Sequence, residues 1–325
     1  VVKPGAKTPR LVWEEVDEVG AGPGEVLVDV RATAVNRADL MQAQGQYPPP
    51  PGVTEILGLE VSGVVAAAAE DAAGWAAGDK VMALLPGGGY AERAAVPSGL
   101  LMRLPQGWPF ARGAAVPEAW LTAFLNLFIE GQLGAGDAVL IHAGASGVGT
   151  AAVQMARAAG ASVYATAGSA EKLEACRRFG AALAVDYKRQ DFAVEIKAHT
   201  GGRGVDVVLD PVGAAYLNRN LEVLAAGGRL VCIGLMGGRR AEIDLGRVLG
   251  RSLRLIGSRL RHRPVSEKTR IIRQFEERFG PLLADGRLAP VIDRVFPIVE
   301  AEAAHAYVRA NRNIGKVILE VPETR

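Results

Sequence analysis

The sequence predicts a two-domain α/β protein, with a parallel sheet covered by helices in one domain and a β-rich second domain. Three observations predict this class. The chain has 325 residues, too many for one ordinary hydrophobic core. Residues 121–259 alternate between short apolar strands and helical stretches, which is typical of βαβ units. Residues 1–120 contain short β-rich segments separated by glycine and proline, and residues 260–325 end in a strand that we expect to rejoin them.

The β-rich domain is predicted from its strands and turns. Residues 26–31, 63–66 and 80–85 are rich in β-branched and apolar side chains, and glycine–proline turns at 22–24 and 86–89 separate them. This pattern favours a partly barrel-like arrangement.

The parallel sheet is predicted from six short apolar segments. These strands are expected at residues 138–142, 162–167, 182–185, 205–210, 229–233 and 252–257. Helices are expected between the early strands at 150–159, 170–179 and 192–199, and in the last part of the chain at 266–279 and 301–310, before a closing strand at 315–320.

A glycine-rich loop follows the first of these strands, in the segment AVLIHAGASGVGT at 138–150. A strand that turns sharply into a helix directs the helix dipole and unpaired N–H groups at a diphosphate. We expect Gly144 to permit the tight turn and Gly149 to let the helix pack closely on the strand. Ser146 occupies the second glycine position of GxGxxG, and Val148 rules out the GxSxG elbow of a hydrolase. The loop predicts a dinucleotide site.

The end of the second strand indicates which dinucleotide is bound. NAD-binding units carry an acidic residue there, which accepts hydrogen bonds from the ribose hydroxyls. Here the strand at 162–167 leads into Gly168 and Ser169, with Lys172 three residues later. A hydroxyl, backbone N–H groups and a lysine favour a 2′-phosphate, while Glu171 suits the first turn of the next helix. We therefore predict NADP(H) as cofactor.

No metal site and no strong general acid are visible in the sequence. Zinc requires converging cysteine, histidine or carboxylate ligands, but there is no CxxC, and the four histidines are scattered. None of the six tyrosines has a lysine four residues later. Quinone reduction tolerates the lack of an acid, because a hydroquinone anion can take its proton from water, whereas simple ketone reduction does not. We therefore predict metal-free chemistry.

Composition excludes several other classes of protein. The net charge of +2 and the 22% of charged residues give no bulk attraction to nucleic acid or to acidic membranes. Two cysteines, Cys176 and Cys232, make a disulfide framework implausible. The first residues lack a signal-peptide pattern, and the most apolar window, at 111–129, is interrupted by charges and proline. We expect a soluble, cytoplasmic protein.

Several motifs together resemble those of a known family. The chain is similar to the zinc-free quinone oxidoreductases of the medium-chain dehydrogenase/reductase superfamily, and most similar to the tumour-suppressor-inducible quinone oxidoreductase and its bacterial relatives. The matching motifs are AVNRADLM at 34–41, GQYPPPPG at 45–52, ILGLEVSG at 56–63, ALLPGGG at 83–89, PEAWLTA at 117–123, HAGASGVGT at 142–150, ATAGS at 165–169, GLMGG at 234–238 and NIGK at 313–316. The resemblance implies a doubly wound Rossmann domain at 121–259 and a GroES-like catalytic domain at 1–120 and 260–325.

The same resemblance implies positions for the site residues. The implied cofactor contacts are Thr122, Ser146, Gly147, Val148, Gly149, Gly168, Ser169, Lys172, Tyr187, Leu235, Ser258, Arg259 and Asn313. Tyr187 matches the tyrosine that packs beside the adenosine 2′-phosphate. The nicotinamide is expected near Thr122 and Leu235, with Asn36, Tyr47 and Ser146 as the implied catalytic residues. Glu60 is expected to hold a structural hydrogen bond.

These inferences predict an NADPH:quinone reductase that transfers hydride to a quinone, in a cleft between the domains. The resemblance also implies a homodimer joined through the edge strand at 252–257. An NADPH-dependent reductase of α,β-unsaturated carbonyls or enoyl thioesters remains an alternative with the same fold and cofactor. A structural role without catalysis is disfavoured by the intact cofactor loop. Single-stranded RNA binding has only the arginines at 251–263 in its favour, without the aromatic residues it needs.

Overall fold

The structure is a computed structural model that describes residues 1–3, 10–72 and 74–322. The chain divides into two compact units. The first unit contains Val1–Leu121 and Arg261–Arg325, and the second contains Thr122–Leu260.

The regular elements of the described residues follow one another in this chain order. The strands are β1 (Val2–Lys3), β2 (Arg10–Leu11), β3 (Glu25–Val35), β4 (Glu60–Ala68), β5 (Lys80–Leu84), β6 (Arg93–Pro97), β7 (Leu101–Arg103), β8 (Ala138–Ile141), β9 (Ser162–Ala167), β10 (Leu183–Asp186), β11 (Val205–Asp210), β12 (Leu224–Cys232), β13 (Arg254–Gly257), β14 (Ile292–Pro297) and β15 (Lys316–Glu320). The α-helices are α1 (Arg37–Ala43), α2 (Phe110–Gly113), α3 (Pro117–Phe124), α4 (Gly147–Ala158), α5 (Ala170–Phe179), α6 (Phe192–His199), α7 (Leu217–Val223), α8 (Leu245–Gly250), α9 (Val265–Ala284) and α10 (Ala301–Arg309). Helix α3 continues into a π-helix, Leu125–Glu130.

The second unit contains the predicted doubly wound sheet. Its strand order is β10-β9-β8-β11-β12-β13, and every neighbouring pair is parallel. This order runs outward in both directions from the β8–β11 pair, so the sheet changes direction there, where ligands of such folds bind. The predicted Rossmann sheet is confirmed.

Two strand boundaries in this sheet differ from the prediction by more than one residue. Strand β12 begins at Leu224, five residues before the expected start, because Leu224 already pairs with Val205 ahead of an irregularity in the register. Strand β13 begins at Arg254, two residues later than expected, and Ser252 before it has a positive φ of 52°. A left-handed residue cannot continue a strand, so β13 starts after it.

The first unit contains the β-rich domain. Its main sheet has the order β14-β15-β3-β4-β5-β7, and β6 pairs with β3. The closing strand β15 lies antiparallel to β3, with Val317 opposite Val35. The last part of the chain therefore returns to the first domain's sheet, as predicted, and the GroES-like fold is confirmed.

Each unit buries its own apolar side chains. In the second unit Leu140, Phe192, Ile196, Val208 and Leu221 pack in one core cluster. In the first unit small residues of β3 and the segment after α2 pack against Ile318 of β15. No helix among the described residues is long and apolar enough to cross a membrane.

Candidate active site

The glycine-rich loop joins β8 to α4 in the second unit. Ser146 is the N-cap of α4, and its Oγ accepts a hydrogen bond of 3.0 Å from the backbone N–H of Gly149. Ala143 has a positive φ of 51°, a conformation that costs energy for a residue with a side chain. The tight turn was predicted at Gly144, but Ala143 is the residue that adopts the left-handed conformation.

Two glycines of this loop are required by close packing. A Cβ on Gly149 would lie 2.3 Å from the carbonyl oxygen of Ala143, which leaves no room for any side chain. A Cβ on Gly144 would lie 2.8 Å from Ala165 Cβ and 2.9 Å from Cys176 Sγ. The helix N-terminus is thus held against the strand end, with the geometry that binds a diphosphate elsewhere.

The ends of β9 and β10 bring four predicted cofactor residues together. Ser169 is the N-cap of α5 and accepts from the backbone N–H of Lys172 at 3.4 Å. A Cβ on Gly168 would lie 2.7 Å from the hydroxyl oxygen of Tyr187, so the tyrosine hydroxyl reaches this turn. Tyr187 remains 41% exposed. These four residues therefore lie at one corner of the sheet, where β9 and β10 end.

A series of hydrogen-bonded, buried polar side chains lies at the carboxyl edge of the sheet. The sequence did not reveal it. Asn220 Nδ2 donates to Asp210 Oδ2 at 3.0 Å, so Asn220 Oδ1 faces His142 Nε2 at 2.7 Å. His142 Nε2 must then carry the hydrogen, and Nδ1 accepts from the Thr166 hydroxyl at 3.0 Å. Burial lowers the pKa of His142 to about 4, so the ring is neutral.

Asp210 is the acceptor at the end of this series. Its Oδ1 also accepts the backbone N–H groups of Val212 at 2.7 Å and Gly213 at 3.2 Å. Burial raises the pKa of Asp210 to about 6. These hydrogen bonds fix the loop after β11, at the carboxyl edge of the sheet.

The remaining predicted cofactor residues of this unit are more scattered. Thr122 is half-buried on α3, and its carbonyl oxygen accepts from Asn126 Nδ2 at 2.7 Å. Leu235 is 56% exposed after β12. Ser258 is buried beside the end of β12, where its N–H donates to the carbonyl oxygen of Cys232, whereas Arg259 is exposed. Gly147 and Val148 are half-buried in the first turn of α4.

A mostly apolar cavity of about 300 Å³ opens in the second unit at the ends of β11, β12 and β13. Asp210, Cys232 and Gly257 mark those three strand ends, and Leu217 and Leu235 line the cavity beside them. It offers space for an apolar group at the carboxyl edge of the sheet.

The first unit contains a buried ion pair at the predicted residue Asn36. Lys316 Nζ lies 2.7 Å from Glu60 Oε1, and Glu60 is completely buried. The same ammonium donates to Asn36 Oδ1 at 2.6 Å and to the carbonyl oxygen of Val35 at 3.2 Å. Glu60 was expected to hold a structural hydrogen bond; in the structure it pairs with a lysine from the far end of the chain.

This arrangement limits what Asn36 can do. Lysine only donates, so the amide oxygen must face Lys316, and Asn36 Nδ2 donates to Glu60 Oε1 at 2.8 Å and to the carbonyl oxygen of Ala34 at 3.3 Å. Both amide hydrogens are therefore used within the unit. Asn36 retains capacity to accept a hydrogen bond from a hydroxyl, and none to donate one to a carbonyl oxygen.

Tyr47 lies beside two basic residues that follow β13. Its hydroxyl is 3.2 Å from His262 Nδ1, and the Arg261 guanidinium stands 5.3 Å from the centre of its ring. Arg261 is itself held by Pro86, whose carbonyl oxygen accepts at 2.7 Å. Asn313, the other predicted residue of this unit, donates from Nδ2 to the carbonyl oxygen of Gly315 at 2.7 Å.

Glu118 is an acidic residue of the first unit with a buried carboxyl group, which the sequence did not single out. Its backbone N–H donates to Glu60 Oε2 at 2.8 Å. Burial, and then the charge of Glu60, raise the pKa of Glu118 to about 8. The sequence showed no strong general acid, whereas in the structure the carboxyl group of Glu118 is buried and its raised pKa favours the protonated form near neutral pH. The signal was the glutamate in the PEAWLTA motif, whose burial beside another carboxylate is not readable from the sequence.

The described residues do not fit a catalytic zinc ion. No three histidine, cysteine or acidic side chains of residues 1–3, 10–72 and 74–322 lie in an arrangement that could hold a metal ion. Glu60, the buried acid, is already paired with the ammonium of Lys316. Its negative charge is therefore balanced by a lysine of the same unit.

Known protein families match both units. Residues 22–106 match the family described as Alcohol dehydrogenase GroES-like domain, and residues 147–277 match the family described as Zinc-binding dehydrogenase. The chain belongs to the medium-chain dehydrogenase/reductase superfamily, and it is an enzyme of that oxidoreductase family.

Three similar proteins illustrate the range of this superfamily. The crystal structure of CurK enoyl reductase is 30% identical, with a TM-score of 0.82, and 95% of each chain is covered. The quinone oxidoreductase from Thermus thermophilus, solved also with NADPH, is 36% identical with a TM-score of 0.79, covering 94% of this chain and 95% of that one. A mycocerosic acid synthase-like polyketide synthase from Mycobacterium tuberculosis is 36% identical over 96% of this chain.

The polyketide synthase is much longer than the present chain, which spans 15% of its length. The two solved structures, by contrast, match this chain almost end to end; one is named an enoyl reductase and the other a quinone oxidoreductase. The specific likeness to the tumour-suppressor-inducible enzyme stays a prediction.

Proposed function

We propose that the chain is an NADPH-dependent reductase of α,β-unsaturated acyl or carbonyl compounds. The observation that carries this proposal is the end-to-end likeness to an enoyl reductase, at a TM-score of 0.82 and 30% identity. The match of almost the whole chain to part of a polyketide synthase supports the same acceptor class. The sequence analysis had placed this activity second, after quinone reduction.

Residues of the second unit support the choice of NADPH. The corner formed by Gly168, Ser169 and Tyr187 contains no acidic side chain at the position where NAD-binding units carry one. Lys172 follows in the first turn of α5 and adds positive charge near the cap. A phosphate at this corner would receive hydrogen bonds from a hydroxyl and N–H groups instead of repulsion.

The bound nicotinamide supplies a hydride from its C4 atom. The residues of this chain do the rest by binding and orienting. In the second unit, the Ser146-capped start of α4 would hold the diphosphate. In the first unit, Asn36 can accept a hydrogen bond from a hydroxyl group but cannot donate one. The apolar cavity at the ends of β11–β13 favours an acceptor with an apolar part.

Quinone reduction is the second candidate. It is favoured by the 36% identity to the Thermus thermophilus quinone oxidoreductase over nearly the whole of both chains. A quinone also contains a conjugated carbonyl, so the same fold and cofactor could serve it.

Steady-state oxidation of NADPH separates the two candidates. Crotonyl thioester and 2-alkenals should be reduced with higher kcat/KM than 1,2-naphthoquinone. Turnover confined to the quinone would contradict the proposal and establish the second candidate instead.

Cofactor preference is tested by Lys172→Ala. The wild type should prefer NADPH over NADH strongly, and the preference should shrink in the variant because a phosphate contact of about 1–3 kcal/mol is lost. Lys197→Ala, on α6 of the same unit and paired with Glu222, is the control and should keep the preference. Equal use of NADH by the wild type would refute the 2′-phosphate assignment.

A further inference from the structure

Four buried polar side chains are hydrogen-bonded in a row at the carboxyl edge of the sheet in the second unit. We call them the polar series: Thr166 of β9, His142 directly after β8, Asn220 of α7 and Asp210 of β11. Each residue is at most 2% exposed. In the described part of the chain, none of their side-chain nitrogen or oxygen atoms is buried without a partner. A buried network of this kind keeps one arrangement only while every member stays bonded.

The polar series has a fixed direction of hydrogen-bond donation. The Asp210 carboxylate only accepts, so Asn220 must donate to it from Nδ2 at 3.0 Å and accept with Oδ1. His142 then donates from Nε2 to that oxygen at 2.7 Å, and its Nδ1 accepts from the Thr166 hydroxyl at 3.0 Å. The charge of Asp210 therefore sets the orientation of the whole series through the amide of Asn220.

Asp210 also holds the loop at 211–214, which follows β11. Its Oδ1 accepts from the backbone N–H groups of Val212 and Gly213, and its Oδ2 accepts from Gly213 at 3.1 Å as well as from Asn220. Gly213 has a positive φ of 80°, and a Cβ on it would lie 2.9 Å from a carbonyl oxygen of the loop after β12. The carboxylate thus fixes a tight turn that has no room for a side chain.

The loop at 211–214 is joined to the loop at 234–238, which follows β12. Backbone N–H groups of Met236 and Gly237 donate to carbonyl oxygens of the first loop at 3.2 and 2.7 Å, and the N–H of Ala214 donates back to the second loop at 3.1 Å. Both loops line the apolar cavity of about 300 Å³ at this edge of the sheet. A shift of the first loop therefore also moves the second and changes the wall of the cavity.

The strand order relates these loops to the proposed cofactor site of the second unit. The order runs outward from β8 and β11, and the corner with Ser169 and Lys172 lies on one side of that pair, at the ends of β9 and β10. The start of α4, proposed to hold the diphosphate, follows β8. A dinucleotide bound across such a crevice has its second half on the other side of the pair. The loops after β11 and β12 would border that half.

We infer that Asn220 is a positioning residue for the cofactor, acting through Asp210 on the loops at 211–214 and 234–238. This inference rests on the proposed binding of NADPH and adds to it a residue that is 0% exposed and acts without touching the ligand. The required feature is the donor at Nδ2. A carboxylate of the same size at position 220 would face the Asp210 carboxylate and repel it.

The first test reverses the direction of one hydrogen bond and then restores it. Asn220→Asp still accepts from His142, but it places a second carboxyl group where Nδ2 lies 3.0 Å from Asp210 Oδ2. At pH 8 the Kd for NADPH should rise about tenfold or more, the usual effect of losing a hydrogen bond to a charged group. Adding Asp210→Asn should bring the Kd back to within about threefold of the wild type, because one donor again faces one acceptor.

The double variant also keeps this test decisive if Asn220→Asp alone does not fold. A double variant whose Kd for NADPH stays about tenfold above that of the wild type would overturn the inference. The matched control is Asn218→Asp, the same change at an exposed position of α7, which should leave the Kd unchanged.

The ring tautomer of His142 reports the direction of the polar series. In long-range ¹H–¹⁵N spectra of histidine-labelled protein, the wild type should carry the ring hydrogen on Nε2. In Asp210→Asn alone the new amide donates to Asn220, so the Asn220 amide turns and the hydrogen of His142 should move to Nδ1, with Thr166 as acceptor. A hydrogen that stays on Nε2 would overturn the transmission through Asn220.

A cofactor fragment separates positioning from a general loss of structure. Because 2′,5′-ADP contains only the adenosine half, its Kd should change by less than about twofold in Asn220→Asp, as for a distant, independent site. Equal weakening of 2′,5′-ADP and NADPH would overturn the inference, as would an unchanged Kd for NADPH in a wild type that binds it. A wild type that binds no NADPH would overturn the proposed function, and the inference with it.

Discussion

Lys316 and Glu60 form an ion pair within the interior of the first unit, with side chains only 5% and 0% exposed. Both charges have left water, and their attraction must repay a large desolvation cost. The pair does so through additional hydrogen bonds, from Asn36 to the carboxylate and from Lys316 to the carbonyl oxygen of Val35. Removing one partner alone therefore leaves the other charge buried and unpaired.

Lys316→Met should destabilise the first unit by about 3–5 kcal/mol, the usual cost of an orphaned buried charge. Urea unfolding followed by tryptophan fluorescence measures this, because all four tryptophans, Trp13, Trp75, Trp108 and Trp120, belong to that unit. Adding Glu60→Gln to the variant should recover part of the loss.

The exposed Lys80 at the start of β5 provides the control for this measurement. Lys80→Met should change the free energy of unfolding by less than about 1 kcal/mol, as is usual for surface charges. A Lys316→Met protein as stable as this control would show that the pair contributes little.

The start of α4 combines an N-cap, close packing between two backbone segments and a left-handed residue in the turn before it. The Ser146 hydroxyl satisfies the Gly149 N–H, and Gly149 packs directly on the carbonyl oxygen of Ala143. The sequence motif predicted the strand–turn–helix order and the tight packing at Gly149. It predicted a helix that begins at residue 150, whereas the helix begins at Gly147. The difference arises because Ser146 is recognisable as the N-cap only by its hydrogen bond to the Gly149 N–H.

Gly149→Ala should weaken NADPH binding at least tenfold and destabilise the second unit by about 1–3 kcal/mol, because the new Cβ would lie 2.3 Å from a carbonyl oxygen. Fluorescence titration with NADPH and thermal unfolding measure the two effects.

Gly280→Ala on α9 is the matched control, since the nearest atom to its Cβ would be Glu276 Cβ at 3.9 Å. This change should leave NADPH binding intact and raise stability by about 0.5–1 kcal/mol, because alanine favours a helix interior over glycine. Equal NADPH affinities of the two variants would show that the loop does not need its close packing.

At the scale of the whole molecule, β13 is an edge strand of the parallel sheet, with β12 as its one neighbour among the described strands. Leu255 in this strand is 42% exposed, and Leu249 just before it is 83% exposed. An apolar edge of this kind attracts other chains unless a partner covers it. These observations support the proposal, first implied by family resemblance, of a homodimer joined through this edge.

The wild-type chain should therefore elute with the mass of a dimer in size-exclusion chromatography with light scattering. Leu255→Lys should shift the population to monomers, since a buried lysine without a partner opposes association. Val194→Lys, at a 62% exposed position on α6 of the same unit, should leave the dimer intact. A monomeric wild type would contradict the proposal.

The sequence by itself determined the two kinds of domain, the parallel sheet and the glycine-rich turn between β8 and α4. Each of these depends on residues close together in the chain, whose periodicity and glycine spacing follow from the local geometry of strands, turns and helices. Only the tertiary structure decided the chemistry of Glu118. Glu60, Glu118 and Lys316 come from distant parts of the chain, and the pKa of a carboxyl group depends on how many charges and how little water surround it. Sequence spacing carries no information on that burial, so the acid of this site became visible only once the chain was folded.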